Sequence, residues 1–138
     1  MKSNKKQVIK TRKKHLRIAG TDFAFDSVEP DFEPIAEDFI RTINAFKGKI
    51  GPHFKDLPRK IDVVFMKESF RSEIGGKWNK ESIIHFSTEK FHEVEDACVS
   101  VAEIRTKFLY IFLHEITHFR HADEQAADRE AKRILNSF

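Results

Sequence analysis

The segment FLHEITHFRHADEQAAD, from Phe112 to Asp128, gathers imidazoles and carboxylates that can bind a cation or move a proton. Within it His114, Glu115 and His118 stand in the order H-E-x-x-H. On an α-helix, positions four apart differ by about 40° and leave from one face. His114 and His118 can therefore each point a ring nitrogen at a common ion about 2.0–2.1 Å away. Glu115 leaves in another direction and cannot join them as a ligand. It can reach a water on that ion, which is where a general base belongs. Two imidazoles and a carboxylate at the end of a buried helix are costly to desolvate unless something pairs with them. A divalent cation pairs with all three. The competing arrangements are a solvated helix end without metal and a structural ion closed by a fourth ligand such as His121.

A catalytic zinc takes a third protein ligand and keeps one position open. HEITH followed by Glu124-Gln125-Ala126-Ala127-Asp128 resembles the gluzincin metallopeptidases, in which a second helix bears E-x-x-A-D. The small size, with few strands ahead of the active-site helix, is most similar to the minigluzincins and to short metallopeptidases of phage and mobile elements. The matching motifs cover about residues 100–135. The resemblance implies an α/β (α+β), zincin-like fold: a small mixed sheet, an N-terminal helix, the HExxH helix and a C-terminal glutamate helix. It implies Zn2+ held by His114, His118 and Glu124, close helix packing at Ala127, and Asp128 as an acid supporting a ligand histidine. His121, Asp128 and Glu130 are rival third ligands.

The activity implied is that of a zinc metalloendopeptidase. Zinc lowers the pKa of its water towards 7 and polarises the scissile carbonyl, while Glu115 removes the proton and returns it to the leaving amine. By the same analogy, a peptide or protein substrate lies extended and antiparallel to the last strand before the active-site helix, pairing as an added strand. That strand is ESIIHFS, with Gly76, Lys77 and Trp78 along the rim, although Trp78 is better suited to core or rim packing than to substrate contact. A group stabilising the oxyanion is also expected, and Tyr110, His85 and His92 are candidates.

These roles depend on how the chain turns. Five residues, Phe119 to Asp123, separate His118 from Glu124. Were the helix to continue, Glu124 would sit about 240° round from His118. The chain must break near His121-Ala122-Asp123, with Asp123 as the N-cap of a last helix over DEQAADREAKRILNSF. Ahead of the motif, SVAEIRTKFLYIFLHEITHF reads as a buried helix opened by a Ser100/Glu103 capping box. Its apolar stripe runs through Ala102, Arg105, Leu109, Phe112 and Ile116, widened by Phe108, Ile111 and Phe119.

Upstream, HLRIAGTDFAF predicts one strand ending near Asp26. Apolar residues from Phe32 to Phe46 recur at three- and four-residue steps, predicting a helix with Pro30 and Pro34 in its first turn and a stop at Lys47-Gly48. KIGPHFKDLPR reads as a loop, KIDVVFM and ESIIHFS as strands, and Gly75-Gly76 as a turn or bulge. STEKFHEVEDA fits either a short helix or an ordered loop.

The 138 residues suit one domain, and 40% hydrophobic residues with 14 phenylalanines indicate a folded core. Residues 1–20 hold eight Lys or Arg and no acid, leaving 17 basic against 22 acidic residues, a net of −5, in the remainder. This predicts a basic arm over 1–20 and a zincin-like domain over 21–138. The arm suits a solubilising tail or phosphate attraction, though it lacks the interleaved aromatics of a base-stacking surface. Cys98 is the single cysteine, so no intrachain disulfide or Cys-rich metal cluster forms, and a small buried role is expected. No apolar run approaches a membrane span, and residues 1–20 lack the apolar segment of a secretory signal, which predicts a soluble cytoplasmic protein. The alternative function is a basic-tailed, nucleic-acid-associated or regulatory binding protein on a zincin scaffold without significant catalysis.

Overall fold

A computed structural model describes residues 13–29, 31–67, 76–78 and 82–138, with 76–78 described as backbone. Residues 1–12, Pro30 and Gly75 lie outside the described residues, as do the side chains of Lys77 and Trp78.

The first strand is in fact a hairpin. β1 (Lys14–Ile18) and β2 (Thr21–Ser27) pair antiparallel, with Ile18 opposite Thr21. Ala19 and Gly20 between them both have positive φ, 51° and 88°, the requirement of a tight two-residue turn that follows the strand twist. The sheet thus begins at Lys14, inside the basic stretch and ahead of the expected boundary at residue 20.

Helix α1 (Pro34–Ile50) makes the crossover from β2 to β3 (Lys60–Met66), which lie parallel. Pro34 takes the first-turn position and Glu33 is the N-cap, so Phe32 precedes the helix. Nor does the helix stop at Lys47-Gly48: it runs on to Ile50 and a 3-10 turn, Gly51–His53. Ile50 is fully buried, and that burial outweighs the roughly 1 kcal/mol that a glycine costs inside a helix.

β5 (Ile83–Ser87) pairs parallel with β3 and antiparallel with β4 (Gly76–Trp78), an element absent from the sequence reading. Among the described residues five strands run in the order β1-β2-β3-β5-β4, so the protein is a mixed α+β structure. STEKFHEVEDA resolves as a helix, α2 (Thr88–Ala97), anchored by the buried ring of Phe91. Cys98 ends that helix half-buried.

One sheet face is covered by helices. Phe23, Phe25, Ile61, Val63, Phe65, Ile84 and Phe86 point into it at alternate positions, as the pleat requires. Phe39 of α1 sits at the centre, 4.6 Å from the ring of Phe91 and 5.1 Å from that of Phe86, between centroids. It also meets Phe108 and Phe112 of α3 (Val101–Thr117), edge-on at 5.5 and 6.2 Å. This cluster fixes the rotation of α3, and so the direction in which its histidines leave.

α3 enters the core later than its sequence pattern predicts. Ala102 and Arg105 are exposed, and continuous burial starts at Phe108. In the first two turns Ile104 packs half-buried against the core, while the residues around it are exposed. Ser100 Oγ accepts from the Glu103 amide at 3.1 Å, as expected of a cap, but Glu103 returns to the amide of Val99, one residue outside the usual position. No helix among the described residues is long and apolar enough to cross a membrane.

Candidate metal centre

α3 ends by tightening. The amides of His118, Phe119 and Arg120 bond back to the carbonyls of Glu115, Ile116 and Thr117, three residues earlier. Such bonds close a helix without glycine or proline. The chain then turns into α4 (Glu124–Asn136), whose N-cap Asp123 accepts from the Ala126 amide at 2.8 Å. The break predicted near His121–Asp123 is present.

α4 packs back along α3, and Ala127 is fully buried at the crossing. Thr117 Oγ1 lies 2.8 Å from the carbonyl of His114 and 3.1 Å from that of Ala127, sharing its proton across the two helices. Only small side chains allow backbones so close. Glu124, in the first turn of α4, is thereby carried to the imidazoles: its Oε1 is 2.8 Å from His114 Nε2 and its Oε2 is 3.3 Å from His118 Nε2.

Among the described residues, His114, His118 and Glu124 are the His/Cys/Asp/Glu group whose donor atoms converge, all within 4.8 Å of one another. Ligand atoms arranged tetrahedrally at about 2.0–2.1 Å from zinc stand about 3.3 Å apart. Two imidazoles and a carboxylate brought this close could hold a divalent cation such as zinc. The imidazoles are buried, at 1% and 7% exposure, whereas the Glu124 side chain is 71% exposed. One side of the centre is thus wall and the other opens to solvent.

The far nitrogens are also engaged. His118 Nδ1 lies 3.0 Å from the carbonyl of His121, which can only accept, so Nδ1 donates to it and Nε2 is turned towards Glu124. His114 Nδ1 lies 3.4 Å from the hydroxyl of Tyr110, which donates in turn to Asp128 Oδ1. Asp128 Oδ2 is 3.2 Å from Lys132 Nζ.

The electrostatics follow from these contacts. Burial lowers the His114 pKa, with Glu124 opposing, so the neutral imidazole that a metal needs is favoured. Burial, assisted by the charge of Glu124, pushes Glu115 up to about 8. The Tyr110 hydroxyl is raised by burial and by Asp128, while Asp128 is lowered by the bond from Tyr110 and then by Lys132.

The rival ligands are committed elsewhere. His121 Nε2 is 2.6 Å from Glu130 Oε1, and Glu130 Oε2 takes Arg120 and, at 3.1 Å, Arg133. Burial pushes Glu130 up, but these partners outweigh it and its pKa falls. Arg120 also donates to the carbonyl of His53 at 2.9 Å, and His53 meets Ser137 at 3.2 Å. His53 thus fastens the ends of α1 and α4 to the turn that follows the histidines.

Three expectations change. Tyr110 faces the rear nitrogen of His114, so its hydroxyl is not placed for an oxyanion. His92 is on the exposed side of α2, 3.4 Å from Glu33, and His85 lies on β5 in register with Val64 and Lys77. ESIIHFS cannot receive an added strand, because β5 is flanked by β3 and β4; the edge strand is β4, which lies against α3. Trp78 belongs to that edge strand, its side chain outside the described residues.

The H-E-x-x-H pattern assigns Thr117 no role. A small hydroxyl three residues after His114 was the available signal. No family model and no curated protein matches the chain.

Proposed function

We propose that this protein is a zinc-dependent peptidase that hydrolyses peptide bonds, with His114, His118 and Glu124 holding the metal and Glu115 as general base. The observation carrying the reading is that both Nε2 atoms and the Glu124 carboxylate converge while both Nδ1 atoms are engaged behind them. A set of two imidazoles and one carboxylate is the donor chemistry of a catalytic zinc with a position left over. When bound, zinc supplies a Lewis acid that polarises a carbonyl and acidifies water.

The remaining work falls to the chain. Glu115 stands beside the ligands at 3% exposure, on the next residue of the same turn. A buried carboxyl beside the ligands is placed to take a proton from water and to return it. The open side, marked by exposed Glu124, admits the substrate. β4 is the edge strand against α3 and offers a ladder to an extended peptide.

Glu115→Gln preserves shape and the three ligands but cannot accept the proton. Zinc stoichiometry should stay equal to the parent's, while hydrolysis of unstructured peptides falls by about 10²–10⁴-fold. A variant as active as the parent on every peptide cleaved, or a parent that takes up no zinc, would overturn the reading.

A further inference from the structure

We propose that Tyr110 is a positioning residue for the metal centre, a phenol inserted between the carboxylate of Asp128 and the ligand imidazole of His114. The inference rests on the zinc reading above and specifies what holds one of its ligands.

The juxtaposition comes from two four-residue steps on facing helices. On α3, Tyr110 precedes His114 by one turn; on α4, Asp128 follows Glu124 by one turn. The paired helices therefore carry two rungs: His114 with Glu124 at 2.8 Å, and Tyr110 with Asp128. Asp128 is brought level with Tyr110, a turn short of His114. The phenol spans the difference, with its oxygen 3.4 Å from Nδ1.

The polarity of this chain is forced. Asp128, also held by the Lys132 ammonium at 3.2 Å, only accepts. Tyr110 must then donate to it, which turns the oxygen lone pair towards Nδ1. Nδ1 must then carry a hydrogen, and with zinc seated between Nε2 and Glu124 the lone pair of Nε2 would face the metal. Supporting partners of this kind fix the tautomer and orientation of a ligand histidine. A phenol qualifies because it donates and accepts through one atom; phenylalanine fills the same space and does neither.

The test uses the full chain and zinc alone, with affinity measured by competition against a chromophoric chelator and the ligand field read after cobalt substitution. Tyr110→Phe and Asp128→Asn should each weaken zinc binding by about 10–100-fold. The double variant should be no weaker than the worse single one, since both break one chain of bonds. Both should shift the visible cobalt bands, which a purely structural loss would leave alone. If Tyr110→Phe misfolds, Asp128→Asn carries the test. Parent-like affinity and cobalt bands in the variants, or additive losses in the pair, would overturn the role of Tyr110 while leaving the zinc reading intact. A parent that binds no zinc overturns both.

Discussion

Thr117 and Ala127 meet backbone to side chain across the α3–α4 crossing, the hydroxyl of one 3.1 Å from the carbonyl of the other. The contact sets the separation of the two helices, and hence how far Glu124 reaches. Thr117→Val keeps the shape and deletes the shared proton. A loss of about 1–3 kcal/mol in urea denaturation is expected, with weaker zinc binding because α4 is no longer pinned. Thr117→Ser should restore both. Parent-like zinc affinity in the valine variant would show that the hydroxyl plays no part in placing Glu124.

Glu115 makes the metal-free protein pH-dependent in a defined direction. Its pKa rises from 4.5 to about 8 on folding, so between these values the folded state holds a proton that the unfolded state has released. Stability from this group is therefore full below about 4.5 and lost as pH climbs towards 8, by something on the order of 4 kcal/mol. Glu115→Gln removes the effect. Its melting temperature should match the parent's near pH 4.5 and exceed it progressively towards pH 8. His114, lowered on folding, acts with the opposite sign, but it is common to both proteins. Parallel melting curves across the range would refute the assignment.

Zinc should stabilise the parent in proportion to the logarithm of its concentration above the dissociation constant, roughly 2.7 kcal/mol at a hundredfold excess. Glu124→Ala should lose most of that gain. Chelation should lower the melting temperature yet leave the far-ultraviolet circular dichroism unchanged, because the phenylalanine cluster around Phe39 is built without the centre. Unfolding on chelation would mean that the ion is part of the core.

Ala19 occupies a left-handed conformation, φ 51°, in the β1–β2 turn, with its side chain exposed. Asparagine tolerates that region better and forms the preferred Asn-Gly turn with Gly20. Ala19→Asn should raise stability by about 0.5–1 kcal/mol, read as a shift in the denaturation midpoint at constant slope.

What the sequence made legible was periodic or capped. The four-residue step of the histidines, the Asp123 cap and the β-branched run KIDVVFM all rest on local preference, and the structure has each of them as helix face, cap and strand. The hairpin was hidden because an Ala-Gly pair is a weak turn signal beside Asn-Gly. The reach of α1 to Ile50 and the late burial of α3 depend on distant partners that periodicity does not reveal. β4 is three residues long, too short to carry a pattern, and its presence moves β5 from the edge to the interior. Tyr110 and Asp128 were singled out separately; their bond needs the antiparallel packing of two helices, which spacing along the chain does not encode.

The two outermost strands of the sheet differ in a way that bears on self-association. β1 bears exposed Lys14, His15 and Arg17, while β4 is brief. A charged rim repels a neighbouring copy, and a short one gives little to zip along. Under the peptidase proposal, such a sheet would take in one guest segment at β4 and still resist growing into a ribbon, so hospitality to a foreign chain need not bring polymerisation.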